Sequence, residues 1–386
     1  MNLYLDNAAT TKPNTKVLKV MNKYFYELWY NPSTIYSKGK KIKKDIDAAR
    51  KNIANFINAN AKEIIFTSGG SESNCTAIQG FINKHKNSYK KPMIITTTIE
   101  HKSILECINN ICEHYCYIPV DNQGFIDISM LEEMLINNCE NYNILVSVGL
   151  ANNEIGTIQD IKTIADIVHR HNAILHCDAT QAFGHIPIDV KDLDIDMMTA
   201  SGHKIQAPKG IGFLYVKNGI EIKPLIYGTQ ENGMRGGTEN VPYIIGLAEA
   251  VRLRKAEMQT NYINQLKVRN YLWQQLRDRF GCILNGSENN RLANNINVTF
   301  PQNITGEALI YLLDTAGYYI SSGSACNSHT NQPSHVLKAI GLSERDILRT
   351  IRITLPESSV ILDIRLQEID EFLNELEKCL KILSIE

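Results

Sequence analysis

The run Ala200-Ser201-Gly202-His203-Lys204-Ile205-Gln206-Ala207-Pro208-Lys209-Gly210-Ile211-Gly212 lies between two short apolar segments, Met197–Ala200 and Gly212–Val216. Each segment reads as a buried strand, and the residues between them as the turn that leaves the sheet and returns to it. Lys204 sits just past the first strand end, ahead of a Pro/Gly turn and beside Ser201 and His203. An amine held there is partly desolvated, and its neighbours can both hydrogen-bond an anion. Those are the requirements of a lysine that forms a Schiff base next to a phosphate. Alone, Lys204 reads more readily as a surface lysine in a loop; the rest of the chain decides.

Working outward, the other segments that read as strands are Glu63–Thr67, Met93–Thr97, Tyr115–Pro119, Ile144–Val148 and Ala173–Asp178. Helical patterns fall among them, for example Ser71–Lys84 and Asp160–His171, and two more precede them, one opened by Pro13 and one near Ser37 to Asn58. This alternation predicts the α/β class, with a mostly parallel seven-stranded sheet covered on both faces. In such sheets ligands bind outside the carboxyl ends of the strands. After about residue 255 the pattern changes. A long amphipathic helix, Ala256 to about Phe280, precedes a strand at Ile296–Phe300, a helix Gly306–Thr315 and a strand Tyr318–Ser321. A strand Thr350–Leu355 and a helix from Asp363 follow. The expected division is a large domain of residues 13–255 and a smaller α+β domain of residues 1–12 and 256–386.

The chain has 386 residues and a formal net charge of −1, so nothing in its overall charge points to a polyanion partner or to direct nucleic-acid binding. The lysine-rich face of the Ser37–Asn58 helix reads as a solvated surface. No apolar run is long enough to span a membrane, and the first residues lack a signal-peptide pattern, so a cytoplasmic location is expected. Nine cysteines, an odd count, read as free thiols. Cys107, Cys112 and Cys116 have no common zinc spacing, and no metal site is expected.

Four further stretches carry chemistry. Thr67-Ser68-Gly69-Gly70-Ser71-Glu72-Ser73 follows a strand and starts a helix, so its backbone N–H groups and the helix dipole suit a phosphate; an ordinary capped turn fits equally well. Glu100-His101-Lys102 places a histidine at another strand end, able to lie over an aromatic ring and to move protons, although a lone loop histidine usually does neither. Asp178 ends its strand ahead of Ala179-Thr180-Gln181. A buried carboxylate there needs a positive partner, such as a pyridinium nitrogen, unless it merely caps the next turn. Ser321-Ser322-Gly323-Ser324-Ala325-Cys326-Asn327-Ser328-His329 sets a cysteine among small polar residues, the surroundings of a nucleophile that must travel.

Together with Leu5-Asp6-Asn7-Ala8-Ala9-Thr10-Thr11, Asn152-Asn153-Glu154-Ile155-Gly156 and Gly233-Met234-Arg235-Gly236-Gly237-Thr238, these stretches resemble the cysteine desulfurases of the NifS/IscS type. Those are fold-type I pyridoxal-phosphate enzymes of the class V aminotransferase group. The resemblance runs from Tyr4 to at least Arg352. It implies a pyridoxal 5'-phosphate cofactor carried by Lys204, which also moves the substrate proton. It implies that Asp178 pairs with the pyridine nitrogen, that His101 stacks on the ring and serves in acid–base steps, and that Gln181 and Asn153 lie near the ring oxygen. Gly70, Ser71, Ser201 and His203 would hold the phosphate, joined by Thr238 from the other subunit of a homodimer. Arg352 would grip the carboxylate of L-cysteine, and Asn153 would border it. Cys326 would take the sulfur as a persulfide, release alanine, and pass the sulfur to an acceptor protein in iron–sulfur cluster assembly, tRNA thiolation or DNA phosphorothioation.

The chain departs from the family pattern in places. Ser71 stands for the usual Thr, Cys75 for a common Asn, Tyr36 for a common His and Gly236 for a frequent Ser. After Arg352 the family continues with Gly and a basic residue, whereas this chain has Leu355-Pro356-Glu357. Proline fixes φ and Glu357 inverts the local charge beside the expected carboxylate site, which bears on substrate affinity. Two other readings are compatible with the same residues: a selenocysteine lyase-like enzyme, which needs no Cys326, and a weakly catalytic docking paralogue.

Overall fold

The computed structural model describes residues 2–322, 333–357 and 362–384. In the first part of the chain the elements are β1 (Leu3–Tyr4), α1 (Thr15–Tyr26), α2 (Ser37–Phe56), β2 (Ile64–Thr67), α3 (Gly70–His85), β3 (Lys91–Thr97), α4 (Lys102–Ile111) and β4 (Tyr115–Ile118). Then come α5 (Ile128–Asn138), β5 (Tyr142–Gly149), α6 (Ile161–Arg170), β6 (Ile174–Asp178), β7 (Met197–Ser201), β8 (Gly212–Val216) and α7 (Val241–Phe280). The last part holds β9 (Ile283–Leu284), β10 (Asn295–Thr299), α8 (Gly306–Thr315), β11 (Tyr318–Tyr319), β12 (Ser321–Ser322), α9 (His335–Ala339), α10 (Glu344–Leu348), β13 (Thr350–Thr354) and α11 (Leu362–Leu383).

All seven expected strands pair in one sheet, in the order β2-β8-β7-β6-β5-β3-β4. β4, β3, β5, β6 and β7 are parallel, and only β8 runs against its neighbours β7 and β2. Every residue of β2 and β7 is buried, as helices on both faces require, and for that reason these strands read as continuous apolar runs with no alternation. The parallel strands deliver Thr97, Gly149, Asp178 and Ser201 to one edge of the sheet.

The second layer system is smaller. β12, β13, β10 and β9 form an antiparallel sheet, and β1 pairs in parallel with β11. Leu3 and Leu5 join the apolar cluster of α8, α11 and the second half of α7. The first half of α7 belongs instead to the large cluster around the seven-stranded sheet. α7 therefore starts 15 residues before the expected Ala256, at Val241. Its early turns pack against α1 and α2 and bury Gly246, Ala250 and Leu253 as well as Ile244, Leu247, Ala248 and Val251, so burial is not confined to one stripe. α1 also differs from expectation at its start: Asn14, not Pro13, sets it, by accepting from Lys16 N at 2.9 Å.

Candidate active site

A cavity of about 490 Å³ opens at the carboxyl edge of the sheet, where β3, β5, β6 and β7 end. Lys204 enters it from a single 3-10 turn, Gly202–Lys204, directly after β7. Its Nζ donates to the carbonyls of Ala8 and Ala9, the latter at 2.9 Å. The amino-terminal segment is held there by Thr11, whose Oγ1 donates to the His203 carbonyl at 2.8 Å. The Leu5–Thr11 motif thus forms one wall of the cavity, although it lies nearly two hundred residues from the lysine in sequence.

Asp178 ends β6 and is buried. Its Oδ2 accepts from Asn74 Nδ2 at 2.8 Å and its Oδ1 from the Thr180 amide at 2.9 Å. Asn74 lies on α3, the helix that begins at Gly70 with Ser71 beside it, both lining the cavity. Gly69 takes φ of +155°, a backbone that L side chains rarely adopt, and a Cβ on Gly70 would come 3.0 Å from Thr180 Oγ1. The helix N-terminus is therefore brought close to Thr180 and Ser201 with backbone N–H groups exposed to the cavity. Asn74 Oδ1 and Thr180 Oγ1 are buried there without a hydrogen-bond partner. Atoms of this kind are costly unless a bound group satisfies them.

His101 caps α4: its Nδ1 accepts from the Ser103 amide at 3.1 Å, which leaves the ring proton on Nε2. Burial lowers its pKa, an effect that Asp178 opposes and Lys204 reinforces. His203 lies 3.1 Å from Thr10 Oγ1 through Nδ1, and burial with the Lys204 charge brings it down to about 4, so it is neutral at physiological pH. Gln181 Nε2 donates to the Ala8 carbonyl at 3.1 Å, and Ser201 completes this side of the cavity.

Arg352 approaches from β13, with its side chain 1% exposed. Nη2 pairs with Asp6 at 2.7 Å and Nη1 donates to the Asn153 carbonyl at 3.1 Å, while Nε is buried without a partner. Pro356 and Glu357 are not part of the cavity wall, so the departure after Arg352 leaves the cavity lining unchanged. Glu357 turns to a buried ion pair with Arg254 on α7.

Sequence reasoning gave no role to several other groups at this site. Glu100 and Glu154 are buried carboxyls whose pKa values burial raises to about 7. Thr97 donates to Glu100, and Ser334 donates to Glu154. His335 Nε2 donates to the Glu100 carbonyl at 2.9 Å and its ring lines the cavity. Glu100 and Glu154 stand inside the EHK and Asn152–Gly156 motifs, where they could have been found. Asn74, Ser334 and His335 lie on helical segments with no local chemical signal. One expected residue among those described is not in this cavity. Thr238 lines a second one, beside Ser68, Arg235 and Gly237. Cys326, like His329, lies outside the described residues.

A model of the aminotransferase class-V family matches residues 3–364. The chain belongs to that family. The cysteine desulfurase IscS of Methanosarcina thermophila is 44% identical over 359 residues, covering 92% of this chain and 87% of the relative. A solved NifS-like protein superposes with a TM-score of 0.87 at 33% identity, over 97% of this chain and all of that one (100%). A structure described as SspA in complex with cysteine gives 0.80 at 36%, over 93% of this chain and 100% of its own. The family's cofactor is pyridoxal 5'-phosphate. The cavity fits that group: it offers a primary amine, a buried carboxylate, a helix N-terminus with glycine backbone, and hydroxyl and amide oxygens that lack partners.

Proposed function

We propose that this chain is a cysteine desulfurase that converts L-cysteine to L-alanine and holds the released sulfur as a persulfide on Cys326. The observation that carries the reading is the meeting of Lys204, Asp178, His101 and Arg352 in one cavity. Pyridoxal phosphate, when bound, supplies an electron sink for the carbon next to the substrate amine. Lys204 is the residue to carry it and to move the substrate α-proton, since its Nζ is held inside the cavity by two backbone carbonyls. Asp178, fixed by Asn74 and Thr180, would keep the ring nitrogen charged, and His101 would cover the ring face. Gly70, Ser71, Ser201 and His203 would take the phosphate, and Asn153 and Gln181 the ring oxygen. Arg352 would orient the substrate carboxylate through its planar fork. The Cys326 thiolate would then attack the substrate sulfur. An S–S bond forms as the C–S bond breaks, and the carbon left behind takes a proton to become alanine.

The same proposal includes a homodimer in which Thr238 serves the partner's cavity. Phe25, Tyr26, Trp29, Ile35 and Tyr36 leave an exposed apolar surface on and after α1, as an association face would. It also includes two lobes, residues 13–255 and 1–12 with 256–386, a sulfur-acceptor protein as partner, and a cytoplasmic site of action. No helix among the described residues is long and apolar enough to cross a membrane.

Alanine and sulfide measured together from L-cysteine and a reductant test the reading. Equal yields, with Lys204→Ala colourless and inactive, support it. Wild-type protein that stays colourless with added pyridoxal phosphate and yields neither product contradicts it. Turnover of selenocysteine alone would favour the lyase-like reading.

A further inference from the structure

The structure assigns Glu357 as a positioning residue for Lys204, acting through Arg254 and His185 from the side away from the cavity. The inference rests on the proposed role of Lys204 and adds residues that the family pattern does not supply.

Glu357 leaves the end of β13 and is 4% exposed, against 2% for Arg254 and 9% for His185. Arg254 Nη2 forms an ion pair with Glu357 Oε2. His185, kept neutral by burial, donates from Nε2 to the backbone carbonyl of Lys204 at 3.2 Å; its unprotonated Nδ1 stands 3.6 Å from Glu357 Oε1, beyond hydrogen-bond reach. Among the described residues no further donor reaches the Glu357 oxygens. The contacts are tight. Gly184, at φ of +76°, could carry no Cβ, because one would meet Ile205 Cγ2 at 2.7 Å and Arg254 Cγ at 3.2 Å. Pro356 is tied to the same helix, its carbonyl accepting from Gln265 Nε2 at 3.2 Å. Four segments therefore converge: the end of β13, α7, the turn after β6, and the turn that bears Lys204.

A buried carboxylate and guanidinium are each costly alone and tolerable as a pair. Their geometry is fixed for that reason. The Arg254 stem, packed with Ile205 against Gly184, passes it to the peptide that the neighbouring His185 holds and whose side chain must point into the cavity. Arg352 lies on β13 and Glu357 just past its end at Thr354, so the cluster also links the carboxylate-binding strand to the lysine turn. Small displacements of a reacting group lower turnover more than they lower substrate binding.

The test compares Glu357→Gln and the double variant Arg254→Met/Glu357→Met with wild type. Hydrogen exchange is followed over residues 200–207 in cofactor-loaded and cofactor-free protein, together with steady-state turnover of L-cysteine. The expected result for Glu357→Gln is faster exchange at 200–207 and a kcat lowered roughly tenfold, with KM little changed. The double variant removes both charges and should recover the melting temperature while keeping the faster exchange and the low kcat. Should Glu357→Gln fail to fold, the double variant decides by the same two readouts. Unchanged exchange at 200–207, or a double variant with wild-type kcat, overturns the assignment and leaves the pair a purely structural tie. Exchange needs no turnover, so it still judges the positioning if the desulfurase reading fails.

Discussion

Replacing Arg352 by lysine keeps the positive charge beside Asp6 and removes the planar fork. A guanidinium has five N–H donors, and here one is given to Asp6 and one to the Asn153 carbonyl. The donors that remain, including the partnerless Nε, can meet a substrate carboxylate in two parallel bonds. A lysine ammonium placed on the same strand would satisfy Asp6 and could not span both carboxylate oxygens. The loss is one charge-assisted hydrogen bond, about 1.5–3 kcal/mol, or roughly 10- to 150-fold in kcat/KM. Alanine formation over a range of L-cysteine concentrations measures it, and most of the change should fall on KM. Cofactor absorbance should be unaltered, because Arg352 has no part in holding the cofactor. A kcat/KM within threefold of wild type would refute the carboxylate role.

Asp178→Asn should keep the visible absorbance and lose about 100-fold or more in turnover, since a charge aimed at the reacting system has been neutralised in place; a variant with wild-type turnover would rule out that use of the carboxylate. Glu154, with a pKa raised by burial to about 7, binds a proton in the folded state that the unfolded chain releases near 4.5, so its contribution to stability falls as pH rises between those values. Glu154→Gln should therefore raise the melting temperature more at pH 8 than at pH 5, with a ceiling of about 3 kcal/mol, and a gain that shrinks with rising pH would contradict this. Cys75, whose pKa the hydrogen bond from Cys107 lowers, should be alkylated at neutral pH before the other described cysteines in a Cys326→Ala background, and Cys107→Ala should slow it. Preferential labelling of Cys112 or Cys282, whose thiols burial pushes up, would be inconsistent with that order.

Much of this arrangement was legible in the chain. Strands buried on both faces announce themselves as apolar runs, and the residues at their carboxyl ends, Asp178, Ser201 and Lys204, are those the sheet delivers to the cavity. Where sequence reasoning fell short, the cause was tertiary. The first half of α7 shows no single stripe because neighbours surround it. Asn74 and His335 gain their places from how α3 and α9 pack, which no local spacing records. Glu357 looked like a disturbance of the carboxylate site because its partner Arg254 lies about a hundred residues away on another element. Read with that partner, it is a balanced charge that faces away from the substrate cavity.

The central claim is sulfur transfer to Cys326 in the cavity of Lys204. Holoenzyme exposed briefly to an equimolar amount of L-cysteine, quenched with an alkylating agent and digested, answers it by mass spectrometry of the peptides with alanine quantified in parallel. The account predicts one added sulfur atom on the peptide containing Cys326, one alanine released per sulfur retained, and neither in Lys204→Ala. Sulfur on a different cysteine, or alanine formed at the wild-type rate by Cys326→Ala, would contradict it.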